Sequence, residues 1–159
     1  MTPAVRTEAS DPDHLMMGLA LDEARRAGEA GEVPVGAVVA MDGRVIGRGH
    51  NRSISTKDPT AHAEIVALRE AGATARNYRL PGAVLYATVE PCAMCCGAAL
   101  HARVSRVVYG ASDPRGGAAE SLYRLLDDLR LNHRAIVTSA VRRDECAALL
   151  RHFFESRRG

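Results

Sequence analysis

The chain has 159 residues, 47% of them hydrophobic and 25% charged, with four cysteines and a formal net charge of +2. Those figures predict one globular domain with its own core and exclude wholesale disorder and fibrous architectures. No apolar run approaches the roughly 18–20 residues that span a bilayer, and the acid-bearing N-terminal stretch lacks the apolar core of a secretory signal, so a cytoplasmic setting with cysteines as thiols or metal ligands is expected.

Residues 1–10 read as a flexible leader, and 11–159 as a single domain. Asp11-Pro12 opens a helix, with Asp11 as N-cap and Pro12 at the first helical position. Leu15, Met16, Leu19 and Ala20 continue it at helical spacing, and the stretch from Gly28 to Gly31 ends it. Residues 33–41 are almost wholly apolar and predict a buried strand. Asp42-Gly43 marks a hairpin turn into a second strand that ends near His50. Residues 51–60 read as a loop, and 61–72 as a helix stopped by Gly72. A strand over 83–89 leads to a short helix over 92–101, then a strand over 104–109. Gly116-Gly117 precedes a predicted helix over 118–129, with Leu122, Leu125, Leu126 and Leu129 on one side. A last strand over 135–141 precedes a helix whose Cys146, Leu149, Leu150, Phe153 and Phe154 share a face. Helices alternating with strands after an initial hairpin predict an α/β layered domain with a mixed sheet.

Two short segments carry the chemistry. His62-Ala63-Glu64 follows Thr60-Ala61 at one helix start; Pro91-Cys92-Ala93-Met94-Cys95 stands at another. Cys92 and Cys95 are three apart, so their sulfurs point to one side of a helical turn, and the helix N-terminus favours thiolates there. A Cys-x-x-Cys pair alone also fits a thioredoxin-like redox pair or part of a structural zinc site. Joined with one imidazole, it makes a three-ligand zinc site that leaves one position for water. His62, Cys92 and Cys95 are the expected ligands of one Zn²⁺ per subunit. Glu64 sits about 200° around the helix from His62, off the ligand face, where it can act as general base and then general acid. The set matches the zinc-deaminase pattern H-x-E…P-C-x-x-C. Cys96 and Cys146 read as packing thiols.

The chain resembles the bacterial tRNA-specific adenosine deaminases, of the cytidine and deoxycytidylate deaminase superfamily, from about Pro12 to Arg158. Besides the zinc motifs, the residues that carry the resemblance are Val33-Pro34-Val35-Gly36, Asn51-Arg52, Asp58-Pro59-Thr60, Asn132-His133-Arg134 and Asp144-Glu145-Cys146 with Phe153-Phe154. The resemblance implies a three-layer α/β/α cytidine-deaminase-like fold with a central mixed five-stranded sheet, working as a homodimer. It implies hydrolytic deamination of adenosine to inosine at the wobble position of a tRNA anticodon stem-loop. In such enzymes the residue at Asn51 helps hold the nucleoside; the Ala63 N–H is a plausible purine contact, and Val35 a wall for the base. Asp113, Arg115, Asn132, His133, Phe153 and Arg157 match regions lining the anticodon-loop groove. Residues 101–159 hold 11 Arg/Lys against 7 Asp/Glu, which suits a polyanion partner. Glu120 departs from the family pattern, which has a small residue there, and adds a negative charge close to that groove. Asn51 can also serve as a loop cap, Asn132 as a turn residue, and Phe153 or Phe154 as core. Two other functions fit the zinc motif: deamination of a free base or nucleoside, and a non-catalytic zinc-dependent RNA-binding module, against which Glu64 argues.

Overall fold

The computed structural model describes residues 8–158, so most of the expected leader (residues 1–7) lies outside the described residues. In chain order the elements are α1 (Asp11–Glu29), β1 (Gly36–Met41), β2 (Arg44–His50), the short α2 (Ser53–Thr56), α3 (Ala63–Ala75), β3 (Val84–Val89), α4 (Ala93–His101), β4 (Arg106–Ala111), β5 (Ile136–Thr138) and α5 (Arg143–Arg158). The five strands form one sheet in the order β2-β1-β3-β4-β5. β1 runs antiparallel to both β2 and β3, whereas β3, β4 and β5 are parallel.

Period-two alternation sends the strands' side chains to two separate cores. Ala37 and Val39, Leu85, and Val107 and Tyr109 face α3 and α4. Val38, Tyr86 and Val108 face the other way, onto Met17, Ala20 and Leu21 of α1 and Cys146 of α5. Helices therefore cover both faces, which is why the strands read as continuous apolar runs. The expected α/β fold with a central mixed five-stranded sheet is the one observed. No helix among the described residues is long and apolar enough to cross a membrane.

The N-cap of α1 is Ser10, one residue before the expected Asp11. Ser10 Oγ accepts from the Asp13 N–H (3.3 Å) and Asp13 Oδ2 accepts from the Ser10 N–H (3.1 Å), a reciprocal arrangement that satisfies two donors at once. Asp13 is 1% exposed and reaches further. Arg106 grips it with Nη2 to Oδ1 at 2.7 Å and Nη1 to Oδ2 at 2.9 Å, and the Tyr86 hydroxyl donates to Oδ1 at 2.8 Å. Burial works to raise its pKa, but these donors together outweigh it and bring it from 3.8 to about 2. A depressed folded-state value means stability that is complete above pH 3.8 and lost as the pH falls through about 2. The contribution is about 2 kcal/mol. Urea unfolding between pH 5 and pH 2 is expected to show that loss, and Asp13→Asn to flatten the curve in that window. An unaltered curve in the variant would exclude Asp13 as its source.

The hairpin turn is where expected, with Asp42 and Gly43 both at positive φ (53° and 76°), as a tight two-residue turn requires. β1 begins at Gly36, not residue 33, because the Val35 N–H turns back onto the Val33 carbonyl (2.8 Å). α3 presses onto the edge strand β2. A Cβ at Gly49 would stand 2.5 Å from the Ala63 carbonyl oxygen, so glycine there lets the start of α3 sit against the sheet. The loop over 51–60 contains the single turn α2, and β5 spans only three residues of the seven expected.

The predicted helix over 118–129 does not form. Apart from the 3₁₀ turn Leu125–Asp127, that stretch is irregular, with Leu122 and Leu129 exposed and Leu126 buried. Its first donors are taken elsewhere: the Ala118 N–H goes to the Pro91 carbonyl (2.8 Å), and the Glu120 and Ser121 N–H groups to the Glu90 carboxylate (2.8 Å each). These bonds pin the start of the segment to the end of β3, and beyond it the Leu122 N–H returns to the Gly117 carbonyl (2.9 Å) and the Leu125 N–H to the Ala118 carbonyl (3.0 Å), spacings of five and seven residues in place of an i→i−4 ladder.

Candidate active site

The metal donors stand at two helix starts. His62 is the N-cap of α3 and Cys92 the N-cap of α4, both extended (φ −73°, ψ 154° and φ −76°, ψ 177°). Neighbouring β1 and β3 bring the two ends together. His62 Nδ1 lies 3.5 Å from Cys92 Sγ and 3.6 Å from Cys95 Sγ, and the three donor atoms lie within 4.8 Å of one another. Zn–S bonds of about 2.3 Å and Zn–N bonds of about 2.0–2.1 Å at tetrahedral angles imply N···S edges of about 3.6 Å. The donor set therefore fits zinc in both chemistry and spacing. The Cys95 thiol, with the His62 imidazole, draws the Cys92 thiol down to about 3, against burial. Cys95 is itself pushed upward by Cys92 and by burial. Metal binding at such a trio displaces the remaining thiol proton. Cys96 is fully buried, with its thiol on the Pro91 carbonyl (3.6 Å), and Cys146 is buried in the opposite core.

Glu64, in the first turn of α3, is 4% exposed. Burial pushes its carboxyl up to about 7, a range in which a carboxyl both takes and gives protons near neutrality. A cavity of about 130 Å³ opens over it, lined by Val35, Asn51, His62, Glu64, Val89, Glu90, Cys92 and Asp113. Asn51 uses its carboxamide inside the protein: Oδ1 accepts from the Ala63 N–H (2.9 Å), and Nδ2 donates to the Val33 carbonyl (3.2 Å). The side chain thus caps α3 from the end of β2 and steadies His62 and Glu64. It still has one lone pair and one N–H to offer a ligand, whereas the Ala63 N–H is already taken. Asp113 turns its carboxylate onto the N–H groups of Arg115 and Gly116 (3.1 and 3.2 Å).

The other sequence-derived residues lie outside this cavity. Asn132 and His133 line a second cavity of about 310 Å³ beside α4. Asn132 Oδ1 accepts from Arg103 (3.2 Å), and His133 Nε2 meets the Val104 carbonyl (2.8 Å). Phe153 is on α5, edge-to-face with Phe154 and beneath the Arg157 guanidinium at 4.3 Å. Arg157 also donates to the Gly31 carbonyl (3.0 Å), tying α5 to the end of α1. The Glu120 carboxylate accepts the Tyr109 hydroxyl at 2.5 Å, so its charge is drawn back over β4. The sequence reading did not single out Glu90 as a site residue. Its signal is an acid directly before Pro91-Cys92, just past an almost wholly apolar strand.

A buried carboxylic acid beside a His/Cys/Cys zinc site, on a mixed sheet covered by helices on both faces, defines a zinc-dependent deaminase of the cytidine-deaminase type. Residues 10–111 match the family model of the cytidine and deoxycytidylate deaminase zinc-binding region. Over 150 residues the chain is 50% identical to the tRNA-specific adenosine deaminase of Haemophilus influenzae, covering 94% of this chain and 87% of that protein. Within the broader class, the chain belongs to the tRNA-specific adenosine deaminase family. Among solved structures it is similar to one from studies of A-to-I editing by tRNA:A34 deaminases at the wobble position (TM-score 0.83, 49% identity, 86% of this chain and 99% of that one). It is also similar to a guanine deaminase from Nitrosomonas europaea (TM-score 0.78, 28% identity, 96% and 87% covered).

Proposed function

We propose that this chain hydrolyses the wobble adenosine of a tRNA anticodon loop to inosine, releasing ammonia. The observation that carries the reading is the position of Glu64, buried beside three zinc donors at the floor of a small cavity. Its 50% identity to a tRNA-specific adenosine deaminase selects the substrate. His62, Cys92 and Cys95 would hold the zinc, which would supply a water acidic enough to ionise near neutral pH. Glu64 would take one proton from that water and deliver it to a ring nitrogen of the adenine, then take the second from the hydroxyl newly bonded to C6 and pass it to the departing amino group, which leaves as ammonia. Val35 and Asp113 wall the flipped base, and Asn51 holds its nucleoside with the amide N–H that Val33 leaves free. Arg115, Asn132, His133, Phe153 and Arg157 contact the anticodon stem-loop, and Ala63 acts through its bond to Asn51. A loop substrate suits a small pocket, because an unstacked base can leave the strand.

The enzyme works in the cytoplasm as a homodimer. Supporting the dimer is a largely apolar cavity of about 770 Å³ between α3 and α4, lined in part by Ile65, Leu68 and Ala98, with Tyr78 70% exposed at its edge. A free purine base is the second reading, supported by the likeness to a guanine deaminase. One preparation tests all three points. Incubation with an anticodon stem-loop carrying a wobble adenosine should yield inosine at that base and leave free guanine and adenosine unchanged, and sedimentation should give twice the 17.0 kDa chain mass. Turnover of a free base without inosine in the stem-loop would overturn the substrate, and a 17.0 kDa species the dimer.

A further inference from the structure

Glu90 is a buried carboxylate that the deamination chemistry leaves without a task. It is 3% exposed, follows β3 directly and lines the catalytic cavity. Its oxygens accept the N–H groups of Asp113 (3.0 Å), Glu120 (2.8 Å) and Ser121 (2.8 Å) and the Ser121 hydroxyl (2.5 Å). All of these donors belong to one segment, 113–121. That segment meets the strand end again where Ala118 donates to the Pro91 carbonyl and Gly117 forms a bridge with Cys92. Gly117 has no room for a side chain, since a Cβ would stand 2.5 Å from Glu90 Oε2. The segment is therefore wrapped around a carboxylate two residues from a metal donor. It brings Asp113 to the cavity wall and leaves Arg115 exposed beside it.

We propose that Glu90 is the positioning residue that holds segment 113–121 in its substrate-receiving conformation, so that Asp113 and Arg115 meet the RNA already ordered. The inference rests on the tRNA-deaminase reading. A carboxylate accepts several hydrogen bonds at once, and charge-assisted bonds are about twice as strong as neutral ones. Without them, an irregular segment with no ladder of its own samples many conformations, and ordering it again is charged to substrate binding. The effect therefore falls on KM and not on kcat.

Glu90→Gln keeps the shape and turns an acceptor oxygen into an amide facing N–H donors. Amide exchange at Asp113, Glu120 and Ser121 should quicken about 10-fold or more, and KM for the anticodon stem-loop should rise about 10-fold, as expected for the loss of one charged hydrogen bond. Zinc content should be unchanged and kcat should stay within about threefold of the wild type. Ser121→Ala removes one donor and leaves the carboxylate. It should give the same pattern at smaller size, a KM rise of about threefold, and it carries the test if Glu90→Gln fails to fold. Unchanged exchange in a folded variant overturns the anchoring, and quickened exchange with unchanged KM overturns its service to substrate binding. A fall in kcat at constant KM overturns the positioning role in favour of one in the chemistry. A wild-type enzyme that makes no inosine overturns the functional reading and this inference together, whereas the other adverse outcomes overturn this inference alone.

Discussion

Glu64→Gln is expected to lower kcat for inosine formation by about 10²–10⁴-fold, the usual worth of a positioned general acid–base, while the protein keeps its zinc. The substitution is close to isosteric, so the buried position on α3 can accept it without leaving a void. It removes only the capacity to take a proton from water and return it to the substrate nitrogens. The metal donors are His62 Nδ1 and the sulfurs of Cys92 and Cys95, none of which changes. KM for the stem-loop should move little, because the residues proposed to contact the RNA outside the cavity, among them Asn132 and His133, are untouched by the substitution. Single-turnover assays with parallel metal analysis decide the matter. Activity within tenfold of wild type, with zinc bound, would remove Glu64 from the chemistry.

The second large effect concerns the metal. Cys95→Ala, or dialysis against a strong chelator, is expected to reduce bound zinc from about one per chain to background and to abolish turnover. Two remaining donors cannot hold a tetrahedral ion that three hold only with a water in the fourth place. The loss also reaches the fold, because the ion would tie the N-terminus of α3 to that of α4. A ligand present at about 100 times its Kd stabilises by about 2.7 kcal/mol, which for a chain of this size corresponds to a fall in Tm of about 5–10 °C. Cys146→Ala is the control. That thiol is equally buried but lies in the opposite core, so the variant should retain zinc and turnover whatever its Tm. Retention of zinc by Cys95→Ala would redraw the ligand set.

Much of the molecule was legible in the sequence, for local reasons. Apolar runs bounded by turn residues gave the strands, because a sheet covered on both faces needs apolar side chains on both. The Asp42-Gly43 pair gave the hairpin, because its backbone conformation admits few residue types. The helix start at Asp11 was missed by one residue, because Ser10 and Asp13 cap each other reciprocally and Asp13 also serves Arg106. The error at 118–129 has a longer range. Its leucines do recur at helical spacing, but periodicity describes only what a segment can bury, not where its ends are pinned: the segment is tied to Glu90 and Pro91, and Leu122 and Leu129 stay exposed.

For the site, the division is the same. Residue types and spacing alone singled out the candidate donors, His62, Cys92 and Cys95, and the candidate acid, Glu64, because thiolates three apart and an acid two beyond a histidine are properties of adjacent residues. Tertiary structure alone decided the rest. The pairing of β1 with β3 brings the two helix starts within bonding distance of one ion. Asn51 reaches across to cap α3, and Glu90 gathers the N–H groups of Asp113, Glu120 and Ser121. Each is a contact between residues far apart in the chain. Such contacts depend on strand order and on competition for buried hydrogen bonds, and neither leaves a periodic trace in the sequence.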